Sequence, residues 1–124
     1  MHTIAAKAVC FGEALTDDFK AYQQQIVKNA QTLANQLMEE GFKLVSGGTD
    51  NHLMLVDVTV YGLTGKQAEA ALFQCGVTAN ANALPYDKNG AWWTSGIRNG
   101  TPGLTTLGKN EADMKEVSDI IDYV

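Results

Sequence analysis

Arg98 lies between two Gly-containing pairs, Gly96-Ile97 and Asn99-Gly100, in a stretch with few other charges. Its planar guanidinium fork suits bidentate capture of a carboxylate or a phosphate. The competing use is an ordinary arginine, paired with a nearby acid or lying in solvent. Asn80 and Asn82 alternate within Val77-Thr78-Ala79-Asn80-Ala81-Asn82-Ala83-Leu84-Pro85. On an extended segment both amides face one side, where paired donors and acceptors match a polar ring edge, although asparagines also complete turns. Trp92 and Trp93 offer flat faces for a planar ligand, or they fill an interface or the edge of a core. His52 has the side-chain type that exchanges protons near neutrality, yet no Ser or Cys nucleophile pattern accompanies it. A hydrogen-bonded structural histidine at the entrance of a strand is the expected role. His2 and His52 stand too far apart in a chain with no other histidine to support a metal site. Ser46-Gly47-Gly48 sits in a turn rather than in a strand, Gly-rich loop and helix unit, so no phosphate cradle is indicated. Lys7 reads as a helix-surface lysine.

These candidates need a scaffold, and the hydrophobic spacing supplies one. Ile4, Ala8, Phe11 and Leu15 recur at helical intervals through an alanine-rich stretch, which predicts a helix over 2–15. Thr16 followed by Asp17 and Asp18 starts a second helix, whose stripe Phe19, Tyr22, Ile26, Ala30, Leu33 and Leu37 runs to a stop at Gly41. The period then changes: 42–45 and 53–58 read as short strands joined in a hairpin across the turn-rich 46–51. Thr64-Gly65-Lys66-Gln67 has the spacing of a capping box and opens a third helix through Leu72, ended by Gly76. From Val77 to Gly108 the chain reads as loop with extended pieces, and long loops are disproportionately functional. A last helical pattern occupies 109–123, through Met114, Val117, Ile120 and Ile121. The fold class expected is α+β, with helices on one side of a small, mainly antiparallel sheet.

With 124 residues, one domain over 1–124 is expected. A composition of 45% hydrophobic and 19% charged residues is that of a folded soluble chain. A net charge of -5 with scattered Lys and Arg argues against a nucleic-acid partner. Cys10 and Cys75 form no Cys-x-x-Cys pair and are expected as reduced core residues of a cytoplasmic protein. No stretch approaches the length of a membrane span, and the N-terminus lacks a signal-peptide pattern. An alanine-rich helix at the very start and a last helix without a stop signal make both ends read as cut, a look that a natural short chain shares.

Four blocks carry a family resemblance: Ile4-Ala5-Ala6-Lys7-Ala8; Ser46-Gly47-Gly48-Thr49-Asp50-Asn51-His52 with Leu53-Met54-Leu55-Val56-Asp57; Leu63-Thr64-Gly65-Lys66; and Thr94-Ser95-Gly96-Ile97-Arg98-Asn99-Gly100-Thr101-Pro102. In this order they resemble the C-terminal small domain of the serine hydroxymethyltransferases, and the likeness covers nearly the whole chain. Those are fold-type-I pyridoxal-phosphate enzymes that interconvert serine and glycine while passing a one-carbon unit to tetrahydrofolate. The resemblance implies that Arg98 clamps the carboxylate of serine or glycine and that Asn82 contacts the pterin ring of the folate. It also implies that Thr94, Ser95 and Gly96 position Arg98. The family's Schiff-base lysine, in a His-Lys segment flanked by threonines, has no counterpart in this sequence, so no catalytic residue and no transferase activity are expected of this chain alone. This chain departs from the family pattern at Ala91-Trp92-Trp93, where Pro-Phe-Val or similar is usual, at Asn99, where an aliphatic residue is usual, and at Val60-Tyr61, where charges are common. Three readings stand: a domain that works only with the cofactor-binding part, a stand-alone module for a small carboxylate or a folate, and a non-catalytic partner of a full-length relative. The first carries an expectation of exposed apolar patches on the first helix and near Trp92 and Trp93, and hence of self-association or a homodimer.

Overall fold

The computed structural model describes residues 1–124. Its helices are α1 (His2–Ala14), α2 (Asp17–Glu39), α3 (Gly65–Gln74), α4 (Gly90–Trp93), α5 (Pro102–Thr106) and α6 (Glu111–Tyr123). Its strands are β1 (Lys43–Leu44), β2 (Leu53–Asp57), β3 (Asn80–Asn82) and β4 (Gly96–Gly100). The four strands form one sheet in the order β1-β2-β4-β3, and every pairing is antiparallel. The α+β expectation holds, as does the hairpin of β1 with β2.

Local chemistry sets the starts of α2, α3 and α6. Thr16 accepts from the Phe19 amide at 3.2 Å, with Asp17 and Asp18 in the first turn against the positive dipole end. At α3 the Thr64 hydroxyl accepts from the Gln67 amide at 3.3 Å, while the Gln67 side chain accepts from the Thr64 amide at 3.0 Å. These two bonds complete the capping box. At the start of α6 the Asn110 side chain accepts from the Ala112 amide at 2.9 Å, and the Asp113 carboxylate accepts from the Asn110 amide at 2.9 Å. Gly41 and Gly76 follow α2 and α3 with φ of +99° and +81°, the left-handed region that ends helices there.

One face of the sheet is covered by α2, α3 and α6. Leu44, Met54, Val56 and Ile97 from the strands meet Ala30, Leu33, Ala34 and Leu37 of α2, Ala68 and Leu72 of α3, and Met114 and Ile121 of α6 in a single core. The α2 stripe is buried from Ile26 onward, whereas Phe19 remains exposed. A buried polar network ties α2 to the segment after β4. Asn29 donates to Thr105 Oγ1 at 2.9 Å and to the Lys109 carbonyl at 3.0 Å, and Thr101 donates to the Ile26 carbonyl at 2.8 Å.

Three expectations are corrected. Arg98 lies not on a loop but on β4, an interior strand paired with β2 and β3. Two short helices, α4 and α5, stand in the stretch read as loop. Both cysteines are exposed rather than in the core. Cys10 belongs to α1, none of whose residues is buried, and Cys75 caps the end of α3 beyond its last buried residue, Leu72.

Candidate functional site

Antiparallel register fixes which side chains share the uncovered face of the sheet, because directly opposed residues point the same way. Leu55 on β2, Arg98 on β4 and Asn80 on β3 stand opposite one another in one row. Asp57, Gly96 and Asn82 form the next row. Arg98, Asn80 and Asn82 therefore occupy one face, with Asn80 directly across from Arg98 in the register and Asn82 on the diagonal. The extended geometry expected for the two asparagines is present, and an amide of this edge strand is taken by a side chain: Ala81 donates to Glu69 Oε1 at 3.0 Å.

Along β4 the two neighbours of Arg98 on its own face are Gly96 and Gly100, so β4 itself places no side chain beside Arg98 on that face. On the Gly96 side Leu84 closes in, and a Cβ there would run into Leu84 and the Val56 carbonyl. On the Gly100 side lies an open cleft of ≈ 430 Å³ lined by Arg98, Asn80, His52, Leu53 and Thr78 among others. The Arg98 side chain is exposed, and neither ion pair of the chain involves it, since these join Lys43 to Asp57 and Lys109 to Asp113. No side-chain hydrogen bond uses its donors, which leaves the full fork available for an anion.

β4 is held at both ends. Asp87, which the sequence reading passed over, accepts from the Ser95 hydroxyl at 2.6 Å and from the amides of Ser95, Asn89 and Leu84 at 2.8, 2.8 and 3.0 Å. The Ser95 hydroxyl bond, joined by the three backbone donors, outweighs desolvation and holds the Asp87 carboxyl down at about 2. From α3, the Gly65 amide donates to the Thr94 carbonyl at 3.0 Å, and a Cβ on Gly65 would collide with Thr94 Oγ1 and the Gly96 carbonyl. Gly65 is required by this close approach. At the far end, the Thr101 amide donates to the His52 carbonyl at 3.0 Å. A signal for Asp87 was present in Pro85-Tyr86-Asp87: an aspartate after proline in a turn, able to bond backbone amides nearby.

Other candidates fall away from this site. The hydrogen bond at His52 is made by its backbone, while the imidazole is exposed, makes no hydrogen bond and borders the Arg98 cleft. Trp92 and Trp93 are exposed, Lys66 Nζ lies 4.1 Å from the centre of the Trp92 ring, and neither indole lines that cleft. The turn 45–51 borders the largest cleft, ≈ 560 Å³, against Gln31 and Asn35 of α2. It brings together no paired acid and base, so size does not mark the chemistry here. Asp57, in the row beside Arg98, is desolvated, but bonds from Thr59 and Lys43 prevail and keep its carboxyl below the ordinary value. The exposed apolar residues include Ile4, Val9 and Phe11 of α1 as well as both tryptophans. No helix is long and apolar enough to cross a membrane.

Against known families, residues 1–121 match the model of the family described as serine hydroxymethyltransferase.

Proposed function

The chain belongs to the serine hydroxymethyltransferase family, and from that premise we propose that it serves as the family's C-terminal small domain. Arg98 clamps the carboxylate of serine or glycine, and Asn82 contacts the pterin ring of tetrahydrofolate. The observation that carries this reading is the unpaired guanidinium on the open sheet face, flanked by two glycines, with Asn80 and Asn82 beside it. A carboxylate held at two points cannot rotate freely, so the substrate's remaining bonds are presented in one orientation to whatever reacts with them. Asp87, Ser95 and Gly65 act through backbone position: they fix the start of β4 and thereby the direction of Arg98.

Pyridoxal phosphate is the family's cofactor, and the residues of this chain do not fit its attachment. Every lysine is exposed, and Lys43, the one on the sheet, is paired with Asp57 at 3.1 Å. An amine that is to attack a carbonyl at neutral pH needs a desolvated pocket or a neighbouring cation, and none of these has one. The chain alone is therefore expected to lack transferase activity and to work together with a unit that holds the cofactor, in the cytoplasm.

The exposed apolar side chains of α1 and the exposed Trp92 and Trp93 favour a second property, association with another protein surface, by self-association, as a homodimer, or as a non-catalytic partner of a full-length relative. A stand-alone carboxylate or folate module is distinguished by calorimetry. The wild-type chain is titrated with glycine and with a reduced folate, beside Arg98→Ala and Asn82→Ala. Glycine heat lost in the first variant and folate heat lost in the second assigns both ligands to this chain by itself. Silence with both ligands removes the module and leaves the small-domain reading, which serine–glycine conversion by the wild-type chain alone would overturn.

A further inference from the structure

Asn99 follows Arg98 on β4 and faces the opposite way, toward the helices. It is 7% exposed, and its Nδ2 is the one buried side-chain polar atom without a hydrogen-bond partner. Such a donor needs a reason, because burial removes water and nothing in the chain replaces it. A cleft of ≈ 460 Å³ adjoins it, walled by Leu33, Val77, Leu104, Leu107, Val117 and Ile120, with Asn99 in its lining. No charged residue borders this cleft. At its rim Leu107 is 78% exposed and Ile120 42%, so apolar surface lies open to solvent where the cleft begins. The volume falls in the range of small-molecule sites, roughly 300–1,000 Å³, and a mostly apolar wall with a few polar groups, here Asn99 and Thr78, is their usual make-up.

We infer that this cleft binds a small neutral molecule with an apolar body and one carbonyl oxygen, which accepts a hydrogen bond from Asn99 Nδ2. A carboxylate is disfavoured: it would be desolvated against neutral groups alone, with no cation on the wall. Nδ2 is itself closed off from the cleft, so the amide has to turn about its soft terminal torsion to meet the ligand. The site opens on the helix side of the sheet; it meets the Arg98 cleft at Thr78, Asn99 and Gly100 but uses none of the Arg98 donors.

The test uses two probes with the same body, acetophenone and ethylbenzene, followed by amide NMR of the whole chain. Both are expected to move the Val77, Leu104 and Val117 amides, with acetophenone binding about 5- to 10-fold more tightly, the worth of one hydrogen bond. The Asn99 side-chain amide signals should move with acetophenone and stay with ethylbenzene. In Asn99→Ala, which keeps the cleft and removes the donor, the two probes should bind equally. Should that variant not fold, the wild-type side-chain signals decide alone. The proposal is overturned by unmoved amides up to the solubility of the probes, by equal affinities in the wild type, or by a preference that survives in Asn99→Ala.

Discussion

Two buried asparagines make a matched pair, and replacing each by leucine, which has nearly the same shape, should change stability in opposite directions. Asn99 has an Nδ2 with no acceptor, and Met54 stands opposite it on β2. Removing an unsatisfied buried donor recovers about 1–3 kcal/mol, and the leucine adds apolar contact beside an apolar cleft. Some packing adjustment offsets part of that gain, so Asn99→Leu is expected to stabilise by about 1–2 kcal/mol. Asn29 is 0% exposed, and its side chain makes three hydrogen bonds: to Thr105 Oγ1, to the Lys109 carbonyl, and from Gln25 Nε2 at 2.9 Å. Gln25 keeps Glu111 at 2.8 Å and Thr105 keeps its bond to the Thr101 carbonyl, but the Lys109 carbonyl loses its side-chain donor. Asn29→Leu should therefore cost about 2–4 kcal/mol. For a chain of 124 residues, each kcal/mol moves Tm by about 4 °C. Thermal unfolding followed by circular dichroism should place Asn99→Leu above the wild type and Asn29→Leu well below it. A lower Tm for Asn99→Leu, or a wild-type Tm for Asn29→Leu, would refute the hydrogen-bond accounting.

Asp87 sets an acid limb of stability: its carboxyl lies at about 2 in the folded chain against 3.8 ordinarily, so its contribution is full above 3.8 and is lost as pH falls through about 2. Asp87→Asn should flatten the fall in Tm over that window and lower Tm at neutral pH, as a pH series of melts would show. Gly65→Ala should destabilise by about 2–4 kcal/mol, because the added Cβ meets backbone of β4, and the Thr94 and Gly96 amide resonances should shift with it. On α1, Phe11→Glu should reduce concentration-dependent association in sedimentation, and an unchanged mass distribution would clear that helix of the role.

How much of this was legible in the sequence depended on whether a local signal existed. The ends of α2 and α3 were legible because capping hydroxyls and a following glycine act within a few residues. β4 was not, since Gly-Ile-Arg-Asn-Gly has one β-branched residue and a glycine at each end, a poor strand by propensity. It is a strand because β2 and β3 pair with it on both sides, and that partnership is tertiary. α5 did carry a signal, Pro102 at its first turn after Thr101, which the loop reading overlooked. The cysteines were misjudged because a thiol's usual burial says nothing of a helix whose apolar side chains meet little of the chain. The likeness to the family singled out Arg98 and Asn82, but the row that sets Asn80 directly opposite Arg98 comes only from strand register.

The role of this chain as a small domain is tested most directly by mixing it with the cofactor-binding domain of a family enzyme and measuring serine–glycine conversion with tetrahydrofolate. Activity is expected from the mixture, none from either part alone, and a loss of at least 100-fold with Arg98→Ala on the order of one charge-assisted clamp. Turnover by the chain alone, no turnover by the wild-type mixture, or undiminished turnover with Arg98→Ala would contradict it.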